Sequence, residues 1–264
     1  MEKNMKVNFK YLKERVIDSL EHTDLEFIRH ELSRINEPTI FSGVGGSSVV
    51  SEFGSKVMNK KNGIISINSE PRDFIYRNNN PFRNVIACSY SGNNYGVKLS
   101  FLKELKKYLL SNNAFEDKDV TYLKYDTTID SERSFISLGA TLIPVSILMD
   151  YYLNGKDKDL VDSIQEQDFD FEPENNIYEI YTGHDTSTAS KYLESTITES
   201  GIGIPIVHDK YSYCHGRSNL FYQNPDSYMI YLMHEKSELD DLLINVLREQ
   251  YKNILLFDTS DLEG

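Results

Sequence analysis

The chain has 264 residues, and 28 Lys and Arg against 41 Asp and Glu give a net charge of −13 at pH 7. An acidic surface repels phosphate backbones, so nucleic acid is not an expected partner. Two cysteines, Cys88 and Cys214, are too few for a disulfide framework and favour a reducing compartment. The longest apolar stretch, residues 136–153, contains Ser137, Pro144, Ser146 and Asp150 and reads as a buried helix, not a bilayer span. The first residues mix charges with scattered apolar side chains and have no apolar signal core, so a soluble cytoplasmic protein is expected.

Helices and strands alternate along the chain. A helix is expected over residues 11–32, then a short strand over 39–43 running into a glycine-rich turn. A helix over 48–59 follows, with Val49, Phe53 and Val57 at spacing four on one face. Strands are expected at 64–67 and 84–88. Residues 95–110 read as one amphipathic helix, with Leu99, Leu102, Leu105 and Leu109 apolar and Lys98, Lys103, Lys106 and Lys107 wet. A strand at 121–125 and a helix at 135–152 complete this half.

Residues 154–176 are acidic around Pro173 and read as a solvated helix plus loop. They suggest a first domain over 1–155, a linker over 156–176 and a second domain over 177–264. The second half repeats the rhythm, with strands at 177–181, 204–207, 227–232 and 253–257 and helices at 186–199 and 237–251. Strands joined by helix-length connections indicate parallel sheets covered on both faces. The expected fold is α/β: two three-layer αβα sandwiches with mostly parallel sheets, related as a duplicated unit.

Two small-residue clusters fall at the carboxyl ends of expected strands, where open α/β sheets bind ligands. Gly43-Val44-Gly45-Gly46-Ser47-Ser48 opens a helix whose first N–H groups carry partial positive charge. It is not a full G-x-G-x-x-G, because Ser48 holds the third glycine position, and no P-loop Lys follows. Ser89-Tyr90-Ser91-Gly92-Asn93-Asn94 is a second neutral cradle of donors at a helix start. Either alone is also what an ordinary strand-to-helix turn looks like.

Together with Ser69-Glu70-x-Arg72, these clusters resemble the sugar isomerase (SIS) domain, most closely the isomerase half of glucosamine-6-phosphate synthases. The resemblance implies a phosphosugar site in which Gly45, Gly46, Ser47, Ser89, Tyr90, Ser91 and Asn94 hold the phosphate. Asn93 and Asn94 stand where that family has an acidic residue and a Thr. Glu132 and Ser137 align with a further substrate-binding segment. In the second half, Cys214-His215-Gly216 is similar to the family's K-H-G segment, whose His helps open the sugar ring. Glu199, sixteen residues earlier, matches the spacing of its enolisation base.

These roles suit the chemistry, since a carboxylate can move a proton between C1 and C2 and an imidazole near neutrality can open a ring. Glu199 could equally be a helix-end residue before Gly201, and His215 could cap a turn before Gly216. Arg217 is an anion-orienting or surface-pairing residue. His184, His208 and His234 are expected to be structural or exposed, Cys214 a small buried thiol, and no metal site or cofactor is expected. Thr196 replaces the family's Lys before the base, and the end of the chain lacks its tail Lys.

The expectation is a phosphosugar isomerase or deglycase on an amino-sugar or fructosamine phosphate. The alternative is a noncatalytic sugar-phosphate sensor. By the same resemblance the chain is expected to pair as a homodimer or higher homo-oligomer, a His of one subunit completing the site of another.

Overall fold

A computed structural model of the chain describes residues 9–76, 81–102, 104–113, 117–130, 137–166, 176–213, 215–216, 226–234 and 236–259. The chain divides into two units, Met1–Asp168 and Phe169–Gly264.

In the first unit, helices α1 (Phe9–His22) and α2 (Leu25–Ser33) precede β1 (Thr39–Ser42), α3 (Gly46–Asn62), β2 (Ser66–Ser69) and α4 (Pro71–Tyr76). There follow β3 (Asn84–Cys88), α5 (Tyr95–Ser100), β4 (Lys106–Ser111), β5 (Val120–Lys124), α6 (Gly139–Leu153) and α7 (Asp157–Ser163). The five strands are parallel in the order β2-β1-β3-β4-β5. Alternate side chains fill opposite faces, as the period-two pleat requires. Phe41, Ile86, Cys88, Tyr108 and Leu110 join the core with α1, α2, α3 and α6, while Ile40, Val85, Ala87 and Leu109 pack on the other side with Val97 and Phe101.

The second unit contains β6 (Asn176–Thr182), α8 (Ser187–Ser200), β7 (Gly203–Asp209), α9 (Lys210–Tyr213), β8 (Tyr228–Met233), α10 (Glu238–Gln250) and β9 (Asn253–Asp258). Its parallel sheet runs β7-β6-β8-β9, the order of the first four strands of the first sheet. Tyr181, Met229 and Tyr231 pack with α10, and Tyr178, Ile180 and Ile230 with Leu193 and Ile197 of α8. Both units are therefore αβα sandwiches.

Three expectations need correction. The helix expected over 95–110 ends at Ser100, and its second half is strand β4 between β3 and β5. Helix propensity for Lys and Leu is worth only tenths of a kcal/mol per residue. Burying Tyr108, Leu109 and Leu110 between two strands is worth about 1.5–3 kcal/mol each, so packing wins. The helix expected over 11–32 breaks at Thr23-Asp24, where the Asp24 carboxylate accepts the Phe27 N–H (3.0 Å) and starts α2. The acidic segment is not wholly solvated, because α7 buries Val161 and Asp157.

Candidate functional site

In the strand order β2-β1-β3-β4-β5, connections leave β1 and β3 in opposite directions, so a crevice opens at the carboxyl ends of those two strands. Both small-residue clusters sit there. After β1, Gly43 is packed so closely that a Cβ would lie 2.2 Å from the Ser47 carbonyl oxygen, and Gly45 has φ +60°. Gly45 is the N-cap of α3 without a side-chain cap, so N–H groups of the first turn, including those of Gly46 and Ser47, face outward for a ligand or water. α3 is 17 residues long and brings a full helix dipole to this point. Gly46 abuts α6, since a Cβ there would meet Thr141 Oγ1 at 2.5 Å.

After β3, the chain folds into a braced loop. Ser89 is buried, and its Oγ accepts the Gly92 N–H (3.1 Å) and an Asn94 amide hydrogen (3.0 Å). Asn94 Oδ1 in turn accepts the Val97 N–H (2.9 Å) and caps α5. Ser111 Oγ, at the end of β4, donates to the Tyr90 carbonyl (3.2 Å) and accepts the Asn113 N–H (3.2 Å). Gly92 has φ +67°, and a Cβ there would strike Ser111 Oγ at 2.7 Å. Ser91 is exposed at the loop tip, whereas Tyr90 turns inward and accepts a hydrogen bond from Arg15 Nη2 (3.0 Å).

The loops adjoin. The position of a Cβ on Gly96 would lie 3.1 Å from Val44 Cγ2, 3.2 Å from Asn94 Oδ1 and 3.5 Å from Pro71 Cγ, so segments following β1, β2 and β3 meet at one point. The outcome is a neutral, backbone-rich junction of loops whose donors suit an anion. It is not two equal cradles, because α5 spans only 6 residues and its start is already capped by Asn94. Ser69 ends β2 and is buried, whereas Glu70 and Arg72 are exposed. Ser137 lies exposed just before α6. Glu132, Cys214 and Arg217 lie outside the described residues.

In the second unit, Glu199 is exposed in the last turn of α8 and accepts a hydrogen bond from Ser195 Oγ (2.8 Å). His215 is exposed beyond β7 and α9, its N–H bonded to the Ser212 carbonyl (3.0 Å). Because α8 runs back against the strand direction, Glu199 lies at the amino edge of the sheet and His215 beyond its carboxyl edge. The 7 residues of β7 separate them, a distance of roughly 20 Å. One chain does not bring this pair together.

Sequence reasoning missed several groups. Arg15 is fully buried although it lies in an N-terminal helix. Glu179 is fully buried in β6, where Tyr251 OH (2.6 Å) and Tyr181 OH (3.1 Å) donate to Oε2 and His208 Nε2 stands 3.2 Å away. Burial pushes this carboxyl up, but the His208 ring and the tyrosine hydroxyls outweigh it and hold it below the ordinary value. His208 is thus structural, as expected, while His184 is exposed and His234 bonds to Thr259 Oγ1 (3.0 Å). Burial pushes the Cys88 thiol far up, leaving it inert. Among the described residues, no group of three or more His, Cys, Asp or Glu is placed to hold a metal ion, and no helix is long and apolar enough to cross a membrane.

No family model and no curated protein matches the sequence. Solved structures do match. The tagatose-6-phosphate ketose/aldose isomerase from Escherichia coli superimposes with a TM-score of 0.72 at 14% identity, covering 94% of this chain and 80% of that one. The C-terminal domain of glucosamine-fructose-6-phosphate aminotransferase from Francisella tularensis gives 0.71 at 12%, covering 97% and 85%. Glucosamine-6-phosphate deaminase from Thermotoga maritima gives 0.61 at 13%, covering 94% and 83%. The fold is the SIS-type sandwich. At such identities the likeness establishes architecture and leaves the chemistry to be argued from the residues.

Proposed function

We propose that this protein binds a sugar phosphate at the carboxyl edge of its first sheet and interconverts or deglycates an amino-sugar or fructosamine phosphate. The observation that carries the reading is the convergence of the Gly43–Ser48 and Ser89–Asn94 segments at the crevice between β1 and β3, with the start of α3 uncapped. A phosphate dianion there would accept N–H groups of Gly46 and Ser47 and hydroxyls of Ser47 and Ser91. Gly45 supplies the turn. Ser89, Tyr90 and Asn94 hold the second loop in shape, and the Ser89 hydroxyl proton remains for the ligand. Ser137, ahead of α6, is assigned to the sugar.

Glu199 is assigned as the base at C1 and C2, and His215 as the group that opens the ring. The roughly 20 Å between them in one chain supports a site that draws the two residues from different copies of the chain, hence a homo-oligomer, with C2 pairing the simplest closed form. Two of the similar structures, a tagatose-6-phosphate ketose/aldose isomerase and a glucosamine-6-phosphate deaminase, lend support in the same direction. The same separation, with Thr196 in place of a Lys, also favours a second reading, a sensor that binds the phosphosugar without turning it over. Proton NMR in heavy water across a panel including fructose 6-phosphate and glucosamine 6-phosphate tests between them. Exchange at C1 or C2 supports the enzyme. Ligand-induced stabilisation with no exchange for any sugar assigns the sensor.

A further inference from the structure

We propose that Arg15 of α1 is a positioning residue for the anion loop and acts through the hydroxyl of Tyr90. The proposal rests on the phosphate reading above and extends it to a helix outside both loops. Arg15 is fully buried, and a guanidinium keeps its charge at any physiological pH. Burying it is costly unless its donors are used, so its hydrogen bonds are fixed features of the fold. Nη2 donates to Tyr90 OH at 3.0 Å, Nε to the Ile129 carbonyl at 3.4 Å, and the guanidinium carbon lies 6.0 Å from the Tyr90 ring centroid.

Tyr90 is flanked by Ser89 and Ser91, and its carbonyl is held by Ser111. Its two ends are therefore clamped by different elements, β4 at the backbone and α1 at the hydroxyl. The helix is itself fastened to the segment after β5. The Asp18 carboxylate accepts from Thr127 Oγ1 (2.8 Å) and the Thr128 N–H (2.6 Å), and Tyr11 OH donates to the Asp130 carbonyl (2.6 Å). Positions 11, 15 and 18 fall on one face of α1, so that face forms a brace from the segment after β5 to the loop after β3. The tilt of the Ser89–Gly92 backbone, and with it the reach of Ser91, is set by this brace. A Lys at position 15 keeps the charge but lacks the planar fork that reaches Tyr90 and Ile129 together.

The test is calorimetric titration of the full chain with fructose 6-phosphate and with inorganic phosphate, on the wild type, Tyr90→Phe, Arg15→Lys and the double variant, each checked by thermal melting. Y90F removes only the acceptor and serves if R15K folds poorly. Loss of affinity for both probes by about threefold to tenfold in each single variant, with the double variant no weaker than R15K, supports a path through Tyr90. Wild-type affinity in a folded Y90F overturns it while the phosphate reading stands. Additive losses in the double variant overturn it too, since Arg15 would then act by another route. A wild-type protein that binds neither probe overturns the phosphate reading, and this inference with it.

Discussion

Glu199 and His215 stand at opposite edges of the second sheet, one in the last turn of α8 and the other beyond the end of β7. Sixteen residues of sequence suggest a pair, but those residues include a strand that carries the chain from one edge to the other. If both serve one sugar, two chains must contribute them. Glu199→Gln and His215→Asn should then each be inactive alone, and mixed refolding should restore about a quarter of wild-type turnover, since half of the dimers are mixed and each holds one intact site. No recovery on mixing, or full turnover by a monomer, would contradict the shared arrangement.

The serines of the second loop have different duties. Ser91 is exposed and free of loop bonds through its hydroxyl among the described contacts, whereas Ser89 Oγ accepts two of them. Ser91→Ala should weaken fructose 6-phosphate binding by about 1.5–3 kcal/mol, roughly tenfold to a hundredfold, with an unchanged melting temperature. Ser89→Ala should lower both affinity and melting temperature. Equal stability of the two variants in thermal melts would show that Ser89 does not brace the loop.

Gly46 leaves no room for a side chain against α6. Gly46→Ala should destabilise the first unit by about 1–3 kcal/mol through overlap with Thr141 Oγ1. Thr141 is itself buried, and a helical Thr is held to two χ1 rotamers, so it has little room to turn away. Thr141→Ala should recover most of the loss in the double variant. Denaturant titration reads this directly, and a double variant as unstable as G46A would place the strain elsewhere.

Two buried aspartates give stability slopes of opposite sign. Burial, and after it the nearby Asp150 charge, raises Asp157 to about 7. The folded state therefore holds a proton that the unfolded chain releases near pH 4, and stability falls as pH rises from about 4 to about 7, by on the order of 2–4 kcal/mol. Asp157→Asn should melt higher than wild type at pH 8 and close to it at pH 4. Equal changes at both pH values would contradict this.

Asp240 is the reverse case. Burial alone would raise it, but the Ser237 hydroxyl and N–H, Tyr231 and Lys210 bring it to about 2. Its contribution of about 2 kcal/mol is present above pH 4 and is lost as pH falls toward 2. Asp240→Asn should flatten the acid limb of the stability curve. An unchanged acid limb would mean that other carboxylates govern it.

The sheets and both small-residue loops were legible because each writes a local pattern: a short apolar run, then Gly and Ser, then helical spacing. The segment through Lys106 to Leu110 was misread because Leu and Lys at helical spacing also suit a strand that is charged at its entrance and buried along its length. With β4 unseen, Ser111 could not be recognised as a clamp on the Tyr90 backbone. Arg15 and Glu179 left a fainter signal. Arg15 precedes Val16 and shares its buried side with Ser19, and Glu179 shares its face of β6 with Ile177 and Tyr181. Charges on faces meant to be buried could have been flagged from pattern alone, but their partners come from distant elements. The placement of Glu199 and His215 was not legible for another reason, since spacing in sequence says nothing of which sheet edge a residue reaches.

The central claim is that the crevice between β1 and β3 holds the phosphate of a phosphorylated sugar. Calorimetric titration with fructose 6-phosphate and with fructose, for the wild type and Ser91→Ala, tests it most directly. The account predicts that the wild type binds the phosphate ester, that fructose binds at least a hundredfold more weakly, as expected if two charge-assisted hydrogen bonds are lost, and that S91A loses affinity for the ester alone. Equal affinity for fructose and its phosphate, or an S91A variant that binds the ester as tightly as wild type, would contradict it.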